Sequence, residues 1–326
     1  SMNFIRICFF TITIIALNSC GDKTKQDNTQ QNTEIALETI DENVSINGVS
    51  HYIKKMGTGE PIVVLHGGPG LFHNYLAPHF EKLAEKYQII FYDQRGCGKT
   101  DFPKDTTSIN IDQFVEDLEA IRTHLKIEKL NLAGHSFGAI LAVNYGKKYP
   151  NNLKNLILIS PAPANSEYFD QMFRNMQNKR TDEDIKNLVK VMSSKDFDKR
   201  NPETVLEAIK IGDKVNLADQ SKIDELYASM NFTEESANNM LIVNSIMEKN
   251  FFNYNITENM TAIECPTLII LGDLDNVPFA SSQLLQDNLQ NARLEVLQHA
   301  AHYPFFEAQK EFNASVKNFL NPEYEQ

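Results

Sequence analysis

The chain has 326 residues, 42% of them hydrophobic, and sets 31 Lys and Arg against 43 Asp and Glu for a net charge of −12. That is enough apolar material for one large domain with an insertion, or for two modest domains. The acidic balance and the lack of any basic cluster speak against nucleic acid or an anionic membrane surface as a partner.

The first residues do not read as part of a fold. Arg6 supplies a single positive charge, and Ile7 to Leu17 is apolar but too short to span a bilayer as a helix. This is the shape of a secretory signal. Leu17-Asn18-Ser19-Cys20-Gly21 resembles a bacterial lipobox, with cleavage before Cys20 and acylation of its thiol. The alternative is an ordinary signal peptide cut nearby. Residues 1–19 are therefore expected to be a signal peptide of lipoprotein type. Residues 20–34, polar from Asp22 to Thr33, would be a flexible tether. The mature protein would be exported and anchored by lipid, facing the periplasm or cell surface. Cys97 and Cys265, on two loops of the sheet, are expected as free thiols even in that setting.

From Ile35 the pattern alternates. Asn47-Gly48 between Val44-Ser45-Ile46 and Val49-Ser50-His51-Tyr52-Ile53 is a hairpin signal. Ile62-Val63-Val64-Leu65 reads as a buried strand running into the turn His66-Gly67-Gly68-Pro69-Gly70. The spacing of Leu76, Phe80, Leu83, Ala84 and Tyr87 predicts a helix over 76–87. Ile89-Ile90-Phe91-Tyr92 is the next strand and Asp112 to Leu125 the next helix. Strand and helix go on alternating through Leu130-Asn131-Leu132-Ala133 and Leu156-Ile157-Leu158-Ile159. This alternation predicts an α/β fold, a parallel sheet with helices on both faces.

Gly134-His135-Ser136-Phe137-Gly138 lies between the strand at 130 and the apolar run from Ala139. A Gly-x-Ser-x-Gly string arises by accident in roughly one chain of this length in ten, so its place on a strand-to-helix turn is what gives it meaning. On such a turn the backbone is tight, the hydroxyl is exposed, and small neighbours let strand and helix nearly touch. A serine placed this way is a candidate nucleophile. It needs an imidazole to take its proton and a carboxylate to orient the imidazole.

Ser160-Pro161-Ala162-Pro163 ends the alternation. The stretch up to about residue 260 is polar, helical in period and without a strand-like run, which predicts a helical cap at 163–260 between core parts at 35–162 and 261–326. A disordered loop is the alternative, and its length counts against it. Phe169, Met172, Phe173, Met176, Phe251 and Phe252 would mostly pack cap helices together, with some lining a substrate pocket. After the strand Pro266 to Gly272 come Asp273 and Asp275. After the strand Leu294 to Leu297 come His299 and His302. Both pairs lie at carboxyl ends of strands, where open parallel sheets bind ligands. Asp275 is preferred to Asp273 because it lies further out on its loop. His302 is preferred to His299 because it stands just before the helix starting near Phe306. No carboxylate occupies Ser160–Asn165, the other place a triad acid could sit. The glycine-rich turn is expected to aim the Gly68 amide at a developing oxyanion, with the Phe137 amide as second donor. His66 is read as a structural residue bonded within its own turn. No Cys/His cluster has metal-ligand spacing, and no dinucleotide or phosphate-loop motif follows a strand, so neither metal nor cofactor is expected.

His66 to Gly70, Asp93-Gln94-Arg95-Gly96-Cys97-Gly98-Lys99-Thr100, the Ser136 turn, Asp275 and His302 together resemble the prolyl aminopeptidase (proline iminopeptidase) group of α/β hydrolases, which includes the tricorn-interacting aminopeptidases. The resemblance runs from about residue 43 to 320, apart from the variable stretch near 163–260. It implies an α/β-hydrolase fold, with a mostly parallel eight-stranded sheet and an inserted cap, and a Ser-His-Asp aminopeptidase acting on short peptides. It also implies that Arg95 is scaffold. One position departs from the group. An aminopeptidase must pair the substrate ammonium with a carboxylate, and tricorn-type relatives supply glutamates from the cap and from beside the catalytic aspartate. Here Asn276 follows Asp275, and the nearest cap acid is Glu248. Glu248, Asn276 and Phe252 are the expected substrate-binding residues. A carboxylesterase or lactonase for small uncharged acyl substrates is the second expectation, motivated by Asn276.

Overall fold

The computed structural model describes residues 37–251 and 253–321. The expected signal segment, the tether with Cys20, and Phe252 lie outside the described residues. The fold is built on eight strands: β1 Thr39–Ile46, β2 Val49–Met56, β3 Glu60–Leu65, β4 Tyr87–Tyr92, β5 Leu130–His135, β6 Leu153–Ile159, β7 Thr267–Gly272 and β8 Ala292–Leu297. They form one sheet in the order β1-β2-β4-β3-β5-β6-β7-β8. β2 runs antiparallel to β1 and β4, and every other pairing is parallel. The eight-stranded, mostly parallel architecture is the expected one.

Side-chain alternation explains why both faces are covered. Val63 and Leu65, Ile90 and Tyr92, Leu156 and Leu158, and Ile269 and Leu271 belong to one buried cluster. Their neighbours Ile62 and Val64, Ile89 and Phe91, Ile157 and Ile159, and Leu268 and Ile270 belong to the other. Strands that are apolar at every position must be buried on both sides. The helices Ile111–His124 and Phe137–Lys148 cover the first face, and Gln309–Leu320 covers the second. At the hairpin, Asn47 and Gly48 both take positive φ, 49° and 77°, the backbone a two-residue turn of this hand requires.

The helix expected over 76–87 is shorter than its apolar spacing suggests. The chain makes 3₁₀ turns at His73–Tyr75 and Ala77–Phe80, then one α turn at Glu81–Ala84. Pro78 has no amide to donate to a continuous helix. Tyr87, expected on the helix face, is instead the first residue of β4 and pairs with Glu60. Burial dictates the spacing of these residues, but sheet pairing ends the helix.

Between β6 and β7 the chain is helical, with Ser166–Lys179, Asp182–Met192, Pro202–Asp213 and Glu234–Glu248 as its longer helices. Its entry and exit lie side by side. The Ser166 amide donates to the Tyr254 carbonyl at 2.9 Å, and the Ile256 amide to the Ala164 carbonyl at 2.9 Å. The last of these helices runs over the glycine-rich turn after β3, where the Asn244 amide group donates to the Pro69 carbonyl at 3.2 Å.

Candidate active site

β5 delivers Ser136 to a backbone conformation of φ 55°, ψ −116°, outside the regions that side chains prefer. The flanking glycines make this possible. A Cβ on Gly138 would run into the carbonyls of Leu65 and His66, and one on Gly134 into the backbone of Gly138. The helix therefore starts almost against β3. From the far loops come the partners. His302 Nε2 lies 2.9 Å from Ser136 Oγ, and its Nδ1 lies 3.0 and 3.1 Å from the two carboxylate oxygens of Asp275. A carboxylate can only accept, so Nδ1 carries the proton and Nε2 is free to accept from the serine. The competing candidates point elsewhere. Asp273 accepts the Ala300 amide at 3.2 Å, and His299 is exposed.

Burial works against ionisation of Asp275, yet its carboxyl lies below the usual range. The adjacent His302 and a 3.0 Å bond from the Val277 amide more than compensate. Burial likewise works against a charged His302, and Asp275, helped by Asp213 and Glu307, more than reverses this, so the imidazole lies above its usual value. The pair is built to hold a proton on the ring when one arrives.

Both expected oxyanion donors are uncommitted. Among the described residues, no acceptor takes the amide of Gly68 or of Phe137. The neighbouring Gly67 amide is committed: it donates to Tyr75 Oη at 2.7 Å. Tyr75 Oη lies 2.7 Å from His135 Nδ1, and His135 Nε2 lies 2.8 Å from the His302 carbonyl. The carbonyl fixes the tautomer, with Nε2 donating and Nδ1 accepting from the tyrosine. One buried chain of bonds thus runs from the glycine-rich turn to the backbone of His302.

The α/β hydrolase fold family matches residues 60–309. The chain is an α/β hydrolase. It belongs to the prolyl aminopeptidase-like group. The proline iminopeptidase of Saccharolobus solfataricus is 31% identical over 293 residues, covering 86% of this chain and 91% of its own. Among solved structures, proline iminopeptidase from Mycobacterium smegmatis matches with TM-score 0.62 at 20% identity, over 87% of this chain and 98% of that one. Est816, an N-acyl homoserine lactone degrading enzyme, matches with TM-score 0.61 at 21% identity, over 85% and 100%. Those two similarities speak to the fold.

In this α/β hydrolase the remaining expected residues are placed as follows. Asn276 is 1% exposed, and its amide nitrogen donates to the Val215 carbonyl at 2.8 Å and to Asn216 Oδ1 at 2.7 Å. It ties the Asp275 loop to the cap. Glu248 is half-buried at the end of the helix Glu234–Glu248, one turn beyond Asn244 on the same face. The cap aromatics form a cluster: Phe251 stacks on Phe169 at 4.8 Å between ring centres and meets Phe137 edge-on at 6.2 Å. Arg95 is buried in an ion pair with Asp117, away from the serine's partners. His66 bonds within its own turn, Nδ1 to the Gly67 carbonyl at 2.9 Å. Cys97 and Cys265 are free thiols.

Residues that sequence reasoning did not single out carry much of the site's architecture. Tyr75 and His135 link the glycine-rich turn to His302. Asn216 holds the His302 loop from the cap side, its carbonyl accepting the His302 amide at 3.0 Å, and Glu307, on the core side, joins that loop to the cap through Ala218. His135 is one of the two variable positions of the elbow motif, which was its one available signal. Asn216 stands in an unremarkable polar stretch with none.

Proposed function

We propose that this α/β hydrolase is a serine aminopeptidase of the proline iminopeptidase type, releasing N-terminal residues from short peptides. The observation that supports it best is the unbroken path Ser136–His302–Asp275 in a chain of the prolyl aminopeptidase-like group. Ser136 Oγ attacks the scissile carbonyl as His302 Nε2 takes its proton. The oxyanion is received by the Gly68 and Phe137 amides. Protonated His302, stabilised by Asp275, then gives its proton to the departing amine, leaving an acyl-enzyme. Water, deprotonated by the same ring, releases the acid and restores the serine.

A peptidase also needs a carboxylate for the substrate ammonium, since an unpaired buried charge costs several kcal/mol. Glu248, one helical turn beyond the Asn244 that bonds the Pro69 carbonyl, is the proposed partner. Asn276 favours a second reading: the position after the acid is uncharged and committed to the cap, as would suit an esterase or lactonase acting on uncharged acyl groups. Export and lipid anchoring through Cys20 belong to the same proposal and rest on residues 2–21.

Labelling by a fluorophosphonate that disappears in Ser136→Ala tests the nucleophile. Proline and alanine anilides with a free amine, compared with their N-acetylated forms and with short acyl esters, test the substrate. Preference for the free amine, lost in Glu248→Gln, is expected. Preference for blocked anilides or esters would sink the peptidase reading and leave the esterase one.

A further inference from the structure

One short piece of the cap, the turn from Asp213 to Ala218, bonds to both the Asp275 and the His302 loops, while the cap helix Ser166–Lys179 bonds to the Asp275 loop through Asn175 and Lys179. On the Asp275 loop, Asn276 donates to the Val215 carbonyl and to Asn216 Oδ1. On the His302 loop, the His302 amide donates to the Asn216 carbonyl at 3.0 Å. Asn216 is oriented in turn by donating from Nδ2 to Asp213 Oδ1 at 2.8 Å, and Asp213 Oδ2 accepts from the Tyr303 hydroxyl at 2.5 Å. At the far end of the turn, the Ala218 amide donates to Glu307 Oε1 at 2.6 Å, while Glu307 Oε2 accepts the Ala301 amide at 2.8 Å. One asparagine therefore touches both loops at once, with its side chain on one and its carbonyl on the other.

The bond from Asn276 to the Val215 carbonyl is buried, those from Asn276 to Asn216, Asn216 to Asp213, Tyr303 to Asp213 and Ala301 to Glu307 are half-buried, and the one from Ala218 to Glu307 is exposed. The Asp275–His302 contact spans two loops from different strands, which also meet directly where the Leu274 amide donates to the Ala300 carbonyl at 2.9 Å and the Ala300 amide to Asp273 Oδ1 at 3.2 Å. The cap bonds add to these at Asn276 and at His302 itself.

We propose that the cap turn Asp213–Ala218 is a positioning element of the active site, with Asn276 and Asn216 as positioning residues that complete the register of Asp275 and His302 while the cap is seated. The inference rests on the serine-hydrolase reading of Ser136, His302 and Asp275. Cap displacement would then disable the triad without touching Ser136, linking access to reactivity.

The test uses the full chain with Asn276→Ala, Asn216→Ala and Asn276→Asp. The last keeps the side chain's size but cannot donate at neutral pH. The rate of fluorophosphonate labelling at Ser136 is followed against pH, beside the melting temperature. His302 faces the carboxylates of Asp275, Asp213 and Glu307 and the neutral ring of His135, and the Lys179 ammonium sits at the Leu274 carbonyl. Loosening Asp275 removes the partner that most favours the charged ring, so in the two alanine variants the acid limb should move to lower pH while the plateau falls; in Asn276→Asp the added carboxylate opposes that shift, and the plateau is what is read. A misplacement of about 1 Å costs on the order of 10²-fold, so a plateau loss of 10- to 100-fold is expected. An unchanged plateau and limb would overturn the proposal. So would a lower plateau with a fixed limb and a lower melting temperature, which is mere loss of folded protein. If the unmutated chain takes no label, the hydrolase reading fails. The low-field Nδ1–H proton resonance of His302 then decides the clasp: present in the unmutated chain and lost in Asn276→Asp upholds it, and present in both overturns it.

Discussion

Arg95→Met tests whether the arginine after β4 is scaffold. Arg95 Nε and Nη2 donate to the two oxygens of Asp117 at 2.8 and 2.7 Å, and the two side chains are 3% and 1% exposed. Asp117 also accepts from Asn47 at 2.9 Å and from Gln113 at 3.1 Å. The pair therefore ties the β1–β2 turn, the loop after β4 and the helix Ile111–His124 together. Removing the cation leaves a buried carboxylate without its main partner, which costs about 3–5 kcal/mol. For a domain of this size that lowers the melting temperature by roughly 6–20 °C. The pH dependence supplies a second signature. Burial opposes ionisation of Asp117, but His51, 3.4 Å away, and the bonds from Arg95 outweigh it and bring its carboxyl down to about 2 from 3.8. A depressed carboxyl pKa stabilises the fold above the unfolded value, so about 2–3 kcal/mol is fully present above pH ~4 and is lost as pH falls from about 4 to about 2. In Arg95→Met the carboxyl can neutralise instead, so the deficit should shrink towards low pH. Urea unfolding at pH 7 and pH 4, with kcat and KM measured where both proteins are folded, reads both effects. An unmoved melting temperature with a KM raised more than about 10-fold would refute the scaffold role and put Arg95 on the substrate, since loss of uniform binding appears in KM.

Hydrolysis should fall with pH through a midpoint above the ordinary imidazole value of 6.5, because His302 must be neutral to act and Asp275 holds its pKa up. A pH profile of kcat/KM checks this, and a midpoint below that value would contradict it. Tyr75→Phe removes the acceptor of the Gly67 amide and the donor to His135; a loss of about 1–3 kcal/mol in stability and roughly 10-fold in kcat is expected from one unsatisfied buried group, by denaturation and steady-state kinetics. Expressed in a bacterial host, the chain should acquire radiolabelled palmitate, and Cys20→Ala should abolish the incorporation. Incorporation that survives the substitution would exclude Cys20 as the anchor.

The sheet was legible because its central strands carry near-continuous apolar runs such as Ile62–Leu65, Ile89–Tyr92 and Leu156–Ile159, a pattern few other arrangements tolerate. The elbow was legible because tight packing between β5 and the helix after it demands glycine at 134 and 138. Asp275 and His302 could be found from their places after β7 and β8, since a parallel sheet brings successive strand ends to one edge. The helix over 76–87 was misjudged because periodicity reports burial and not the hydrogen-bond partner; Tyr87 is buried either way. The role of Asn276 was hidden for a different reason. A side chain after the acid can face substrate or cap, and the choice depends on Val215 and Asn216, some 60 residues away in a polar stretch whose helical period does not reveal what it packs against.

Three buried histidines surround Ser136, and their partners explain why one of them suits proton transfer. Burial is the largest influence on each and disfavours the charged ring; it takes His66 down to about 4 and His135 to about 3. In His66, Nδ1 donates to a carbonyl and Nε2 accepts the Gln94 amide at 3.0 Å. In His135, Nε2 donates to a carbonyl and Nδ1 faces the Tyr75 hydroxyl, whose own acceptor site is taken by Gly67. A second proton on either ring would confront a donor. His302 differs at both ends: Nδ1 meets a carboxylate, and Nε2 meets a serine hydroxyl that can turn to accept. It can become imidazolium without losing a bond. Asp275→Asn should therefore convert His302 to the kind of ring its neighbours are, because an amide can donate to Nδ1 and strand the proton on Nε2. A fall in kcat on the order of 10⁴-fold is expected, with KM little changed. Retention of a tenth or more of the activity would mean that the proton leaves Ser136 by another route.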